Sequence, residues 1–315
     1  MRRGLKITFW IILLAAGVVL CALRWQAWFG TPAEPKWTGD TLVYMFPPFE
    51  QDTTPQSLDI LVLGDVHNRL THADYDSLAS RVPQADAVLQ TGDWMDRGQN
   101  YYYQSLLREW TQSGLYGLPV IVCPGNHEYS KGLGKKLSPV WAEAFSYPHN
   151  GPAEVPGAHY FVDLPSMRII VIDTNPLVRA VNVTRTLTWL RRAMKDAGDR
   201  YVVVVMHHPV LSPAKGRFNA EIYAAFRRVL GGADLVLAGH DHSYMRRTPF
   251  VVLNTAGQPK PQRERLIADK TDTIPVYGVL HVGTGSSSVH QPSMEFRVYS
   301  LADGELLDSL YVHHD

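Results

Sequence analysis

Cysteine is scarce in this sequence, and its positive and negative charges cancel. Only two cysteines occur in 315 residues. Because Cys21 lies in an apolar run and Cys123 in a predicted strand, we expect no disulfide between them. The 30 Lys and Arg residues balance the 30 Asp and Glu residues, so the formal net charge is zero. A chain without a positive field is not expected to bind DNA or RNA.

Long apolar runs are absent as well, with one exception near the N-terminus. Residues 7–23, ITFWIILLAAGVVLCAL, approach the roughly 20 residues that a helix needs to span a bilayer. The sequence that follows, RWQAWFG, is bulky and has no clean cleavage site, which favours an uncleaved anchor over a removed signal peptide. The basic start MRRGLK predicts a cytoplasmic N-terminus, so everything after about residue 30 is expected to lie outside the cytoplasm.

Beyond this segment, short aliphatic runs alternate with stretches that have helical spacing. The runs include LDILVL, LPVIVC and YVVVVM, and runs this apolar are typical of strands covered on both faces. Stretches such as TRTLTWLRRAMKDAG carry apolar residues at the spacing of a helix. We therefore predict an α/β fold, and we divide the chain into a membrane anchor (1–29), a linker rich in Pro and Thr (30–57) and one large domain (58–315).

Polar residues follow five of the predicted strands. They are Asp65 and His67, Asp93 and Asp96, Asn126 and His127, His207, and His240 and His242. In open α/β sheets the carboxyl ends of strands are where ligands bind, so we expect these residues to meet. Carboxylate, amide and imidazole without thiolate suit Mn, Fe or Zn, and they are too many for one ion. Two metals about 3.5–4 Å apart that share a carboxylate are a known device for hydrolysing phosphate esters.

The blocks D-x-H, G-D-x-x-D, G-N-H-E, H and G-H-x-H occur in this order, and as a set they resemble the calcineurin-like metallophosphoesterases. The resemblance covers residues 58–315 and implies two packed mixed β-sheets flanked by helices, a four-layer sandwich. It also implies two divalent or mixed-valence transition-metal ions, Mn, Fe or Zn. The implied ligands are Asp65, His67 and His242 for the first metal, Asn126, His207 and His240 for the second, and Asp93 as the bridge.

The resemblance also implies roles for three residues beside the metals. His127 corresponds to the general acid that protonates the leaving oxygen, and Asp96 to the residue that orients His127 and keeps it protonated. Arg97, within GDWMDRG, corresponds to a clamp on a phosphate oxygen. Two positions depart from related branches: Asp96 stands where purple acid phosphatases have a tyrosine ligand, and Asn68 replaces the glycine that is common after D-x-H.

These features predict a membrane-anchored enzyme that hydrolyses phosphate esters with two metals. A metal-bridging hydroxide would attack phosphorus, with His127 as the general acid. Monoesters, diesters, cyclic nucleotides and lipid headgroups all remain candidate substrates, and the anchor favours membrane lipid phosphates or nucleotides near the bilayer. The alternative is a catalytically idle, membrane-tethered binding protein of the same fold, but no ligand of the pattern is missing from the sequence.

Polar features outside the pattern receive plainer interpretations. Asp173 follows a predicted strand and is expected to cap a turn, and His208, next to a predicted ligand, is expected either to support the ligands or to be purely structural. The polar stretch 254–273 is predicted to be a long surface loop. Its basic residues either attract anionic headgroups or are simply solvated; they are Lys260, Arg263, Arg265 and Lys270.

Overall fold

The computed structural model describes residues 57–129, 136–145, 147–153, 155, 158–164, 166–263, 268–283 and 293–312. The predicted anchor lies outside these ranges, and so does the predicted linker except for Ser57. Within the described ranges, no helix combines the length and the hydropathy that a bilayer crossing requires.

Thirteen β-strands form two sheets in the described part of the chain. In chain order they are β1 (Ser57–Leu63), β2 (Ala87–Gln90), β3 (Val120–Val122), β4 (Tyr160–Leu164), β5 (Met167–Ile172), β6 (Tyr201–Met206), β7 (Leu235–Ala238), β8 (Tyr244–Arg247), β9 (Phe250–Val252), β10 (Lys270–Asp272), β11 (Val276–Gly283), β12 (Ser293–Ser300) and β13 (Leu306–Val312).

Both sheets are mixed. The first has the spatial order β13-β12-β11-β1-β2-β3, and the second has the order β10-β8-β9-β7-β6-β5-β4. The strands β1, β2 and β3 run parallel, as do β5, β6, β7 and β9. The other neighbouring strands are antiparallel. Each sheet therefore contains a block of parallel strands, β1–β3 at one end of the first sheet and β5, β6, β7 and β9 inside the second, and the carboxyl ends within a block point the same way.

Helices cover the outer face of each sheet. Over the first sheet lie α1 (His72–Arg81), α2 (Asn100–Thr111) and α3 (Pro139–Ala144). Over the second lie α4 (Val183–Lys195) and α5 (Ala220–Phe226). Thr71 begins α1 with a capping box, because its hydroxyl accepts a hydrogen bond from Asp74 N while the Asp74 carboxylate accepts one from Thr71 N. In α4 the buried residues Thr186, Leu190 and Ala193 recur at helical spacing, as predicted.

Strand alternation divides the apolar residues into three layers. In β1, Ile60 and Val62 point between the two sheets, whereas Leu61 and Leu63 point outward under α1 and α2. The strand β6 alternates in the same way between the inter-sheet core and the layer under α4 and α5. Three apolar layers separate four structural layers, so the prediction of two mixed sheets flanked by helices is confirmed.

Candidate metal centre

The loops that follow β1, β2, β3, β6 and β7 meet at one site. Asp65 N donates to the Gly92 carbonyl (3.1 Å) and His67 N donates to the Asp93 carbonyl (2.9 Å), which joins the first two loops. The second sheet is joined to them by His240 N, which donates to Asp65 Oδ1 (3.0 Å). The structure thus brings together the polar residues that the sequence places after five separate strands.

Most of the predicted ligands have an unusual backbone conformation. The φ angle is +53° at Asp65, His67 and Asp93, +73° at His240 and +51° at His242. Asp, Asn and His are the non-glycine residues that adopt this left-handed region most readily. Such conformations concentrate at functional sites, where the surrounding structure holds them in place. The residue types at these positions therefore suit both the backbone and the binding of a metal.

Gly125 allows the β2 and β3 loops to approach closely. A Cβ at this position would lie 2.1 Å from Asp93 Oδ1 and 2.3 Å from Asp93 N. Any side chain at 125 would therefore push the Asp93 carboxylate out of the centre.

The first ligand cluster contains Asp65, His67, Asp93 and His242, which are all buried. His67 Nε2 and His242 Nε2 are 3.1 Å apart. Asp65 Oδ1 lies 3.6 Å from His242 Nε2 and 3.8 Å from His67 Nε2. Asp65 Oδ2 is buried and has no hydrogen-bond partner among the described residues. Two imidazoles and two carboxylates that converge in this way fit a divalent transition metal.

The second ligand cluster contains Asp93, His207 and His240. His207 Nε2 lies 3.2 Å from Asp93 Oδ2 and 3.2 Å from His240 Nδ1. Asn126 Oδ1 joins the cluster at 3.2 Å from the same His207 nitrogen. Asp93 belongs to both clusters, which is the position that a bridging carboxylate requires.

Burial keeps three of the histidines uncharged. It lowers the pKa of His67 to about 3 and that of His242 to about 4. It also holds the pKa of His240 well below its ordinary value. A neutral imidazole offers the lone pair that a metal binds, so these side chains are already in the form that ligation needs.

The two carboxylates of the centre differ in their ionisation. Burial raises the pKa of Asp65 well above its usual range. Burial also opposes ionisation of Asp93, but the charge and hydrogen bond of His207, together with the neighbouring His127 and His67, outweigh it, and the pKa of Asp93 lies well below its usual range. Burial likewise lowers the pKa of His207, and Asp93 more than offsets this, raising it to about 9. A metal cation bound here would neutralise the charge of Asp93 in place of the His207 proton, so His207 could bind the metal in its neutral form.

His127 lies at the mouth of the centre. Its Nε2 is 3.9 Å from Asp93 Oδ2, and its side chain is 36% exposed. Its Nδ1 lies 2.5 Å from the backbone carbonyl of Asp96. The Asp96 carboxylate instead lies 3.7 Å from His67 Nδ1 and 3.8 Å from Arg97 Nε. Asp96 therefore contacts His127 through its main-chain carbonyl. The resemblance implied that Asp96 orients His127 but did not say which of its groups makes the contact.

Glu128 is a residue whose role could not be assigned from the sequence. Its buried carboxylate accepts hydrogen bonds from Asp93 N (2.9 Å), Met95 N (2.9 Å) and Gly125 N (2.7 Å). Burial raises the pKa of this carboxyl group to about 7. Glu128 ties the β2 loop to the β3 loop, and its place directly after His127 in G-N-H-E was the only available signal.

Asp173 and Asn175 support the β3 loop from the second sheet. Asp173 Oδ1 accepts from Asn175 N (3.0 Å), so the predicted turn cap is confirmed. Asn175 Nδ2 donates to the carbonyls of Pro124 (3.1 Å) and Gly125 (3.2 Å). Sequence inspection missed Asn175 because nothing in a lone Asn after a strand indicates a contact 50 residues away.

Arg217 was also missed. It lies between β6 and α5, and its Nη1 is 2.8 Å from His240 Nε2, the nitrogen that points away from His207. None of the described carboxylates forms an ion pair with it. An arginine in a polar loop belongs to no motif, so only the fold reveals that it borders the second cluster.

The stretch 254–273 is not simply a surface loop. The Gln258 carbonyl lies 2.8 Å from His242 Nδ1, and Lys260 N donates to the His242 carbonyl (3.3 Å). Lys270 lies in β10. The prediction of a long surface loop was wrong at these points. The backbone of the segment contacts His242, and its residues 270–272 add an edge strand to the second sheet. Arg265 lies outside the described residues.

His208 lies beside the ligands and supports the site. Its Nδ1 lies 2.7 Å from Thr174 Oγ1, and its ring centre is 4.3 Å from that of His240. This position agrees with the predicted supporting role.

The profile of the family described as calcineurin-like phosphoesterase matches residues 58–244, a stretch that contains every predicted ligand. The chain belongs to this family.

Two known relatives and one solved structure are similar to this chain. The chain is 26% identical over 166 residues to glycerophosphodiester phosphodiesterase GpdQ of Enterobacter lignolyticus, covering 50% of this chain and 56% of that protein. It is 26% identical over 184 residues to human (Homo sapiens) tartrate-resistant acid phosphatase type 5, again covering 50% and 56%. The chain thus spans just over half the length of these relatives. GAP50, the anchor in the inner membrane complex of Plasmodium, shares the fold with a TM-score of 0.58 and 14% identity over 82% of this chain and 89% of that one.

Proposed function

We propose that this protein hydrolyses phosphate esters at a centre that binds two metals. The observation that carries the proposal is the position of Asp93, whose carboxylate belongs to both ligand clusters. The ions would be held by Asp65, His67 and His242 on one side of Asp93 and by Asn126, His207 and His240 on the other. When bound, such ions activate water and neutralise charge on the attacking and leaving oxygens.

The chain supplies its own proton donor in His127. Its Nε2 faces Asp93 and its side chain is partly exposed, so the leaving group of a substrate can reach it. Because Nδ1 is engaged by the Asp96 carbonyl, Nε2 is the nitrogen available to deliver a proton to the leaving oxygen.

Two guanidinium groups border the centre on different sides. Arg97 Nε lies 3.8 Å from the carboxylate of Asp96, the residue whose carbonyl meets His127, and Arg217 lies beside His240. Guanidinium N–H groups bind phosphoryl oxygens in charge-assisted, often bidentate hydrogen bonds. Contacts from these two guanidinium groups would hold the phosphoryl group over the two ligand clusters and turn its leaving oxygen toward His127.

The test is a substrate panel on the full-length protein after chelation and reloading with Mn, Zn or Fe. Because the relatives are named as a phosphodiesterase and an acid phosphatase, the panel contains both diesters and monoesters, together with a cyclic nucleotide and a lipid phosphate. We expect two ions per chain and turnover that chelation abolishes. Two bound ions without turnover on any substrate would favour the alternative, a catalytically idle binding protein of the same fold.

We also propose that residues 7–23 anchor the protein in a membrane with the catalytic domain outside the cytoplasm. The support is the apolar run itself and the basic residues that precede it. Alkaline phosphatase fused after Asp315 should be active, whereas fluorescence from a reporter that works only in the cytoplasm would overturn the topology. Complete release of the domain by osmotic shock would show cleavage and remove the reason to prefer lipid substrates.

A further inference from the structure

Asn68 ties together three segments beside the metal centre. Its Oδ1 accepts a hydrogen bond from Asp96 N, and its Nδ2 donates one to the Tyr102 carbonyl, both at 2.7 Å. Its own backbone N donates to the Trp94 carbonyl (3.0 Å). The loop after β1 is thereby joined to the loop after β2 and to the first turn of α2.

The peptide groups of Asp96 connect Asn68 to the proton donor. The Asp96 N–H is held by Asn68, and the Asp96 carbonyl lies 2.5 Å from His127 Nδ1. These two groups flank one Cα atom, so the direction of the carbonyl depends on how the N–H is held. The imidazole of His127 is therefore oriented through Asp96 by a side chain that does not touch it.

The backbone at position 68 accounts for the choice of residue. Its φ is +55°, a region that glycine and asparagine adopt readily and most other residues do not. Glycine, which is common here in related enzymes, would satisfy the backbone but would make neither side-chain hydrogen bond. What asparagine adds to this chain is the link to Asp96 and Tyr102.

We propose that Asn68 is a positioning residue for His127: it fixes the Asp96 carbonyl, and through it the imidazole that protonates the leaving oxygen. This inference rests on the proposed function. The proposed role differs from that of a metal ligand, since the two side-chain hydrogen bonds of Asn68 go to Asp96 and Tyr102, which are not predicted ligands.

The test variant is Asn68→Gly, which keeps the backbone unstrained. Displacing a catalytic group by a fraction of an ångström costs roughly tenfold or more in rate, so we expect kcat on an alkyl phosphate to fall about tenfold. The loss on a nitrophenyl ester should be much smaller, because that leaving group needs little protonation. KM and the number of bound metals should stay at wild-type values.

Asn150→Ala is the matched control. The Asn150 side chain also makes two hydrogen bonds to main chain, with Phe161 N and Phe161 O, both 2.9 Å, in a loop that contributes no residue to the centre. It should lower thermal stability about as much as Asn68→Gly without any dependence on the leaving group. A similar leaving-group dependence in both variants would overturn the proposal. Asn68→Asp, which keeps the acceptor for Asp96 N–H, should lose less than Asn68→Gly, and an equal loss would also overturn it.

A double-mutant cycle with His127→Ala shows whether Asn68 acts through His127. If it does, Asn68→Gly has no further effect on alkyl phosphate hydrolysis once His127 is removed. Additive losses would overturn the role of Asn68 while leaving the proposed function intact. A His127→Ala variant with wild-type turnover on alkyl phosphates would instead refute the proposed role of His127, and the Asn68 proposal with it.

Discussion

Gly125→Ala should disable the metal centre through a single methyl group. The added Cβ would lie 2.1 Å from Asp93 Oδ1, whereas real Cβ atoms essentially never come closer than 3.0 Å to such an atom. The Asp93 carboxylate must therefore move by close to 1 Å. It cannot do so alone, because the Cβ would also lie 2.3 Å from Asp93 N. The β2 and β3 loops must separate.

The magnitude follows from what Asp93 does. Its Oδ1 accepts from His127 N (2.8 Å), and its Oδ2 lies 3.2 Å from His207 Nε2, so moving it disturbs both ligand clusters and His127 together. A misplacement of about 1 Å costs about 10²-fold in rate. Overpacking of this kind also destabilises the fold by about 1–3 kcal/mol. We expect less than two metals per chain and a turnover about 10²-fold below wild type.

The assay combines metal analysis, turnover on a nitrophenyl ester and urea unfolding. Gly231→Ala is the control, because a Cβ at Gly231 meets no atom within 4 Å and its φ is not left-handed. The control should match wild type in all three measurements. If Gly125→Ala kept two metals and wild-type turnover, the close approach of Gly125 to Asp93 would not matter for the centre.

Three further variants test separate parts of the site. Asp93→Asn should lower metal content and activity together, because a neutral amide cannot hold two cations; two retained metals with full turnover would contradict the bridge. His127→Ala should keep both ions and lose roughly 10²–10⁴-fold on poor leaving groups, with equal losses on nitrophenyl and alkyl phosphates as the contrary result. Arg217→Ala should raise the inhibition constant for inorganic phosphate roughly tenfold or more, because it removes a charge-assisted hydrogen bond to the phosphate. Lys215→Ala, in the same loop, should leave the inhibition constant unchanged, and equal effects of the two substitutions would contradict the proposed contact between Arg217 and phosphate.

Much of the fold could be predicted because its central strands are nearly continuous apolar runs. The runs LDILVL, YVVVVM and LVLA became β1, β6 and β7, and the residues after them met because parallel strands end on one side of a sheet. Among the strands that escaped prediction, β10 is short and lies at the edge of its sheet. In β10, which lies inside the predicted surface loop, every residue is only partly buried, so it carries no apolar run to detect.

The site shows the same division between local and distant information. Motif spacing predicted that Asp65, His67 and Asp93 would come together, and the structure does bring them together, because each follows its strand directly. Arg217 and Asn175 reach the centre through contacts set by the packing of two sheets, and no spacing rule encodes those contacts. That the Asp96 main chain, and not its carboxylate, meets His127 depends on the turn that Asn68 holds, which is a three-dimensional property.

The left-handed backbone at five of the predicted ligand positions also limits which residues this centre can accept in evolution or by design. A softer donor such as Cys, or a longer carboxylate such as Glu, is disfavoured at a φ near +53°, before any question of metal preference arises. Exchange among Asp, Asn and His meets no such barrier. Variation in metal usage is therefore expected to arise from surrounding residues or from metal supply, while the nitrogen and oxygen donors themselves stay within a narrow chemical range.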